Sequence, residues 1–255
     1  MKMADVELRK AMWHALDTQL VADQYYHGLV NRGTTLIPPY HRDFHDESNP
    51  GLEYDPDKAN EILDAAGYEW AEGEKYRTDP DGEELEIIFA SYQGSDTAEP
   101  IVEFYRQSWA DIGLNVQLLD GRLHELNSFY DMLYAPSGDK FDIYQGQIVV
   151  GSNPDPANHR GPTSYLNFSR YQSDESNELL EKGRSAEAFD TDWLIDVYNE
   201  WQQLMVDEVP EFPTVTSASL MAINNRIVNY SVDPAEKIYY YQLGVTQEEP
   251  FIDGM

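Results

Sequence analysis

Cysteine is absent from this chain of 255 residues. That excludes disulfide frameworks, thiolate metal centres and cysteine nucleophiles. Basic residues are scarce: 17 Lys and Arg stand against 47 Asp and Glu, a net charge of −30. A nucleic-acid backbone or an anionic membrane surface demands clustered cations, so neither is the main partner. No apolar run is long enough to span a bilayer. The first residues, Met1 to Val6, carry no apolar leader core and run straight into a helical pattern. What is plentiful is aromatic: 13% of the residues, with 18 tyrosines, far too many for a disordered acidic tail. The length fits one large folded domain or two modest ones.

Periodicity lays out an α/β order. Leu8, Ala11, Met12, Ala15 and Leu16 share one face of a helix that the pattern extends from Asp5 to His27. Asp55 and Pro56 open a second helix as cap and first-turn proline, and Gly67 is placed to close it. Leu85–Ala90 reads as a strand, Ile101–Ile112 as a helix closed by Gly113, and Leu114–Leu119 as a strand. A helix over Leu123–Leu133 and a strand over Phe141–Val150 complete two successive strand–helix–strand units. The loop from Gly151 to Pro156 is too rich in turn formers to be regular. Helices follow over Ser173–Ala188 and through Leu194–Met205, ending before Pro210, and strands over Phe212–Asn224 and Lys237–Val245.

Chemistry-bearing motifs are few. The chain contains no nucleophile elbow, phosphate-binding loop, dinucleotide fingerprint or zinc-protease helix. His41 and His45 stand four apart, but prolines surround them and Arg42 lies between, so they read as surface histidines rather than metal ligands. Asp79–Gly82 begins like a calcium loop but lacks its downstream glutamate, and reads as a turn. With so many carboxylates, no catalytic pair can be nominated, and no cofactor or metal is expected. Binding through aromatic faces and a few oriented polar groups is the better default, with Tyr92, Tyr130, Tyr134, Tyr144, Tyr165 and Tyr171 as candidates. The alternative from another class is a glycoside-hydrolase-like acidic enzyme.

Four segments carry a resemblance. Arg9, Ala11, Ala15, Leu16, Asp17, Tyr26, Gly28, Pro38 and Pro39 form the first. Tyr54–Ala59 running on through Leu63, Ala65, Ala66, Gly67 and Tyr68 is the second. Gly151–Asn167 is the third, and Glu200–Pro213, with Asp207–Glu208 before Pro210, is the fourth. In this order they resemble the C-terminal half of the bacterial extracellular solute-binding proteins of family 5, oligopeptide-binding members in particular. The resemblance implies a periplasmic-binding-protein-like α/β fold (type II, cluster C), its C-terminal lobe a mixed sheet flanked by helices. Residues 1–235 would form that lobe, and 236–255 a closing segment that in relatives returns to a first lobe absent here. It implies a solute-binding component of an ABC importer, with an oligopeptide as ligand, a permease and an ATPase as partners, and no bond broken. It implies a lipid-anchored protein on the outer face of the cell membrane, or a periplasmic one, whose signal and anchor lie outside this chain. Ligand contacts would come from Tyr144, Gln147, Val149, Gly151, Ser152, Asn153 and Asp155. Ser152 stands where relatives often carry an aspartate for the peptide's ammonium, and Gly146 where some carry an arginine for its carboxylate. A dipeptide, a nickel complex or an oligosaccharide remain alternatives within the family.

Overall fold

The computed structural model of the chain describes residues 2–135, 140–218, 221–231 and 236–246. Its contacts divide into two units, 1–217 and 218–255.

In the first unit, Asp5 caps helix α1 (Val6–His14) by accepting from the Glu7 amide. The long first helix expected from the pattern breaks here. Asp17 restarts the chain as a new cap, accepting from the Leu20 amide, and a turn α2 (Thr18–Leu20) and a π-helical turn (Val21–Tyr25) follow. Strand β1 (Val30–Arg32) pairs antiparallel with β5 (Val215–Ser217). The expected strand over 212–224 is thus reduced to those three residues, and Ser219 and Leu220 lie outside the described residues. Helix α3 (Pro56–Ala65) opens on Asp55, whose carboxylate accepts from the Lys58 amide, with Pro56 in its first turn. Gly67 closes it at a left-handed φ of 87°.

The centre is a parallel sheet in the order β3 (Asn115–Leu118), β2 (Glu86–Ala90), β4 (Ile143–Tyr144). Helix α4 (Ala98–Asp111) connects β2 to β3 and ends in a two-bond cap around Gly113, from Gly113 N to Ala110 O and from Leu114 N to Trp109 O. Helix α5 (Leu126–Tyr134), capped by Glu125, connects β3 to β4. Alternate residues of β2 serve opposite layers. Ile87 and Phe89 join Leu8, Met12, Leu63 and Trp109, whereas Ile88 and Ala90 join Phe129 and Leu133 of α5. A strand covered on both faces belongs in a parallel sheet between helical layers.

A short helix α6 (Ala157–Arg160), helix α7 (Asp174–Lys182) and helix α8 (Thr191–Glu208) build a second core, where Leu36, Ile37 and Ala157 pack on Leu179, Tyr198 and Trp201. The helix expected through Ala188 stops at Lys182, and Ala186–Phe189 forms a separate 3-10 turn beyond Gly183. Arg9 ties α1 to the end of α8, donating to the Glu208 and Val209 carbonyls.

Among the described residues of the second unit, β6 (Ile227–Val228) pairs antiparallel with β7 (Gly244–Val245). The strand expected over 237–245 is confined to β7, because Tyr240–Gln242 turns as 3-10 helix.

Candidate functional site

The expected strand over 141–150 is in register with β2 only at Ile143 and Tyr144, flanked by bonds from the Asp142 amide to the Ile88 carbonyl and from the Gln145 amide to the Ala90 carbonyl. Beyond that point, no backbone–backbone hydrogen bond among the described residues holds Gly146–Asn153. The segment still keeps a strand's alternation. Gln147, Val149 and Gly151 are exposed, while Ile148 and Val150 are partly covered, and Val149 shows 84% of its surface to solvent.

Side chains hold it in place of a neighbouring strand. The Tyr130 hydroxyl, from α5, donates to the Gln147 carbonyl at 2.7 Å and accepts from the Gln147 amide at 3.3 Å. A single phenol thus satisfies both polar groups of one residue, as a ladder partner would. Tyr40, from a 3-10 turn over Pro39–Phe44, donates to the Val150 carbonyl. Burial raises the Tyr40 phenol above its ordinary pKa, so it stays protonated as a donor. Ser91 donates to the Gln145 side chain at 3.1 Å. The result is an irregular strip held by side chains on one side and open on the other.

The sequence-derived residues fall on this strip in three ways. Gln147, Val149, Gly151, Ser152 and Asn153 lie along its exposed run. Tyr144 lies at its base, where its ring meets Phe129 and Phe168 and where burial and then the Glu211 carboxylate push its phenol well up. Asp155 lies at its far end with both oxygens engaged. Oδ1 accepts from the Ala157 amide at 2.9 Å, and Oδ2 from Arg184 Nε at 2.6 Å. Arg184 also reaches the Asn158 side chain. Asp155→Ala therefore unties the loop from α6 and from Arg184, an expected loss of about 1–2 kcal/mol. Urea unfolding checks it.

Gly146 leaves limited room for a side chain. A Cβ there meets the Tyr144 ring at 3.2 Å, so the ring would have to give slightly. The sequence pattern does not mark Tyr40 or Arg184 as supports of the strip, since their contacts join segments far apart in the chain. It also places His41 on the surface. The structure buries it, at 9% exposure, against the Tyr40 ring 4.5 Å away. The apolar run Leu36–Ile37 carries that turn into the second core and takes His41 with it. His45 Nδ1 bonds the Ile37 carbonyl at 2.7 Å. Among the described residues, no group of three or more histidine and carboxylate side chains is placed to hold a metal ion. No described helix is long and apolar enough to cross a membrane.

A parallel sheet between helical layers makes this an α/β lobe, and solved solute-binding proteins of the periplasmic type superpose on it. The model for "Bacterial extracellular solute-binding proteins, family 5 Middle" matches residues 1–181, and the chain belongs to that family. The oligopeptide-binding protein OppA of Lactococcus lactis subsp. cremoris is 30% identical over 246 residues, 96% of this chain and 41% of its own. The solved structure of lactococcal OppA, complexed with an endogenous peptide in the closed conformation, superposes with a TM-score of 0.84 at 28% identity, covering 95% of this chain and 45% of that one. AppA from Bacillus subtilis, in complex with a nonapeptide, superposes at 0.78 with 20% identity, covering 96% of this chain and 48% of that one. The chain thus spans less than half the length of these relatives.

Proposed function

We propose that this chain is one lobe of a two-lobed receptor that captures oligopeptides outside the membrane and hands them to an ABC permease and its ATPase. Residues 1–235 form the ligand-bearing lobe in this reading, and 236–255 the segment that closes back onto the first lobe. Part of that segment, 247–255, lies outside the described residues. The observation that carries the reading is the strip Gly146–Asn153, largely exposed and without backbone–backbone hydrogen bonds among the described residues. Its main-chain groups other than those of Gln147 and the Val150 carbonyl, which Tyr130 and Tyr40 take, recognise an extended peptide and leave its side chains to solvated pockets. Gln147, Val149, Gly151, Ser152 and Asn153 contact the ligand, with Tyr144 and Asp155 shaping the two ends. No bond in the ligand is made or broken. Ser152, a neutral hydroxyl, leaves the ligand's ammonium without a carboxylate there, so binding leans on the main chain rather than on a terminal clamp. The protein works on the outer face of the cell membrane or in the periplasm, held by a lipid anchor outside this chain.

The test is an NMR titration of this isotope-labelled chain with a mixed peptide library. One wall of a two-walled site binds weakly, so the expected dissociation constant is on the order of a millimolar. Shifts should concentrate at Gln147–Asn153. Absence of shifts there, or larger ones with an oligosaccharide than with peptides, overturns the peptide reading.

A further inference from the structure

Two buried imidazoles lie under the strip, and the peptide reading makes no use of either. His41 sits on the Pro39–Phe44 turn and His159 on α6, at 9% and 8% exposure. Each has one ring nitrogen, His41 Nε2 and His159 Nδ1, that is buried and has no hydrogen-bond partner among the described residues. The two elements meet in one apolar cluster, where Ile37 and Phe44 on one side pack with Ala157 on the other. Both also touch the strip: Tyr40 holds the Val150 carbonyl, and the His159 ring faces the Val149 backbone.

We propose that His41 and His159 form a proton-operated latch, closed while both rings are neutral, whose opening in mild acid lets go of the strip at Val149 and Val150. A proton added at His159 Nδ1 or at His41 Nε2 creates a buried N–H with no acceptor as well as a buried charge, and both are costly. The surroundings give little compensation. Across the interface, His41 faces His159, so that two charges would repel, and its own turn places Arg42 and Asp43 beside it. Around His159 stand Arg160 from its own helix, the Val149 backbone, whose hydrogen bond favours the charged ring but is outweighed by burial and Arg160, Glu211 from beyond α8 and Asp155 from the loop before α6. Both carboxylates are already engaged, Glu211 by Arg160 at 3.0 Å and Asp155 by Arg184 at 2.6 Å. Burial and the His159 charge accordingly hold His41 below the ordinary histidine range, and burial and Arg160 do the same for His159. The sign follows. Above the ordinary histidine pKa both rings are neutral in folded and unfolded chain alike, and the latch costs nothing. As pH falls through that value the open state takes up protons that the closed state refuses, so opening gains population.

The latch is a property of this chain alone, and only its consequence, weaker grip on the ligand in acid, rests on the peptide reading. The experiment is therefore made without peptide. Histidine ring signals are followed by NMR, and amide exchange is measured at about pH 7.5 and about pH 5.5, on either side of the ordinary histidine pKa. Both rings are expected to titrate below that value. The amides of α6 and Gly161, corrected for intrinsic rate, are expected to lose about tenfold in protection relative to α8, equivalent to about 1.4 kcal/mol. In the double variant His41→Gln, His159→Gln the loss should vanish. Rings that titrate at or above the ordinary value, or an equal loss in the double variant, overturn the latch. Should that variant not fold, the ring titration of the unaltered chain decides by itself.

Discussion

Arg77→Met is expected to cost the first unit about 3–5 kcal/mol, read as a fall in urea midpoint at unchanged slope. Arg77 is 3% exposed, and its guanidinium closes two helix ends at once. Nε donates to the Ile112 carbonyl at the end of α4, and Nη1 to the Tyr68 carbonyl just past α3, at 2.8 and 2.6 Å. The remaining donors reach Asp64 at 2.6 Å and Asn60 at 2.8 Å, both on α3. Removing the guanidinium leaves two carbonyls at helix C-termini without their donor, and each such buried acceptor carries a desolvation penalty of about 1–3 kcal/mol. The Trp70 ring, 5.2 Å from the guanidinium carbon, loses a cation as well. Asp64 is the informative control. Its side chain is 68% exposed, so Asp64→Asn should cost less than about 1 kcal/mol even though it removes the ion pair. A comparable loss in the two variants would mean that charge, rather than the satisfied carbonyls, holds these helix ends together.

Arg77 could not be read from the sequence. It sits in a polar stretch, Glu69–Asp79, whose composition suggests only a loop, and its partners come from two helices. What the sequence does reveal is wherever the cause is local. Asp55 with Pro56 starts α3, and Gly67 and Gly113 end helices in the left-handed conformation that suits glycine. The β–α–β alternation yields the parallel sheet for the same reason, since strand and helix periods differ. Failures occur where a partner decides. Ala15–Leu16 continues the helical face of α1, and both are buried, but Asp17 competes for the Leu20 amide and the chain turns. Tyr239–Tyr241 has the composition of a strand without the ladder of one.

The candidate site divides along the same line. Phe141–Val150 has the composition of a strand, and its burial alternates from Gln147 through Gly151. Pattern reports which side chains are covered, and says nothing of whether a neighbouring backbone is there to pair. From Gly146 onward no described neighbour pairs with the strip, and a phenol from α5 takes the place of a ladder at Gln147. Of the residues the resemblance nominates, Gln147, Val149 and Gly151–Asn153 fall on the exposed part of the strip. The sequence does not show that Asp155 braces the loop, because Arg184 reaches back to it from beyond α7.

The sheet that carries the strip should be most sensitive at Trp109, where Trp109→Ala is expected to cost about 3–5 kcal/mol. Its indole, 2% exposed, stands edge-on to Phe89 with ring centroids 5.4 Å apart, and Nε1 donates to the Met12 carbonyl at 2.9 Å. One side chain therefore joins α4 to α1 and to the middle strand of the sheet. Phe89 is in register with Ile143, the residue from which the edge strand and then the strip depart. Against a total stability of about 5–15 kcal/mol for a domain of this kind, such a loss is a large fraction of what holds the strip's base. Trp109→Phe separates the two contributions. It keeps a ring against Phe89 but leaves the Met12 carbonyl without its donor, and should cost about 1–2 kcal/mol. Chemical denaturation of the pair of variants, with amide exchange along α1 and β2, reads both. Equal losses would assign the effect to the hydrogen bond, whereas a clear gap between alanine and phenylalanine assigns it to the volume that α1, α4 and β2 share.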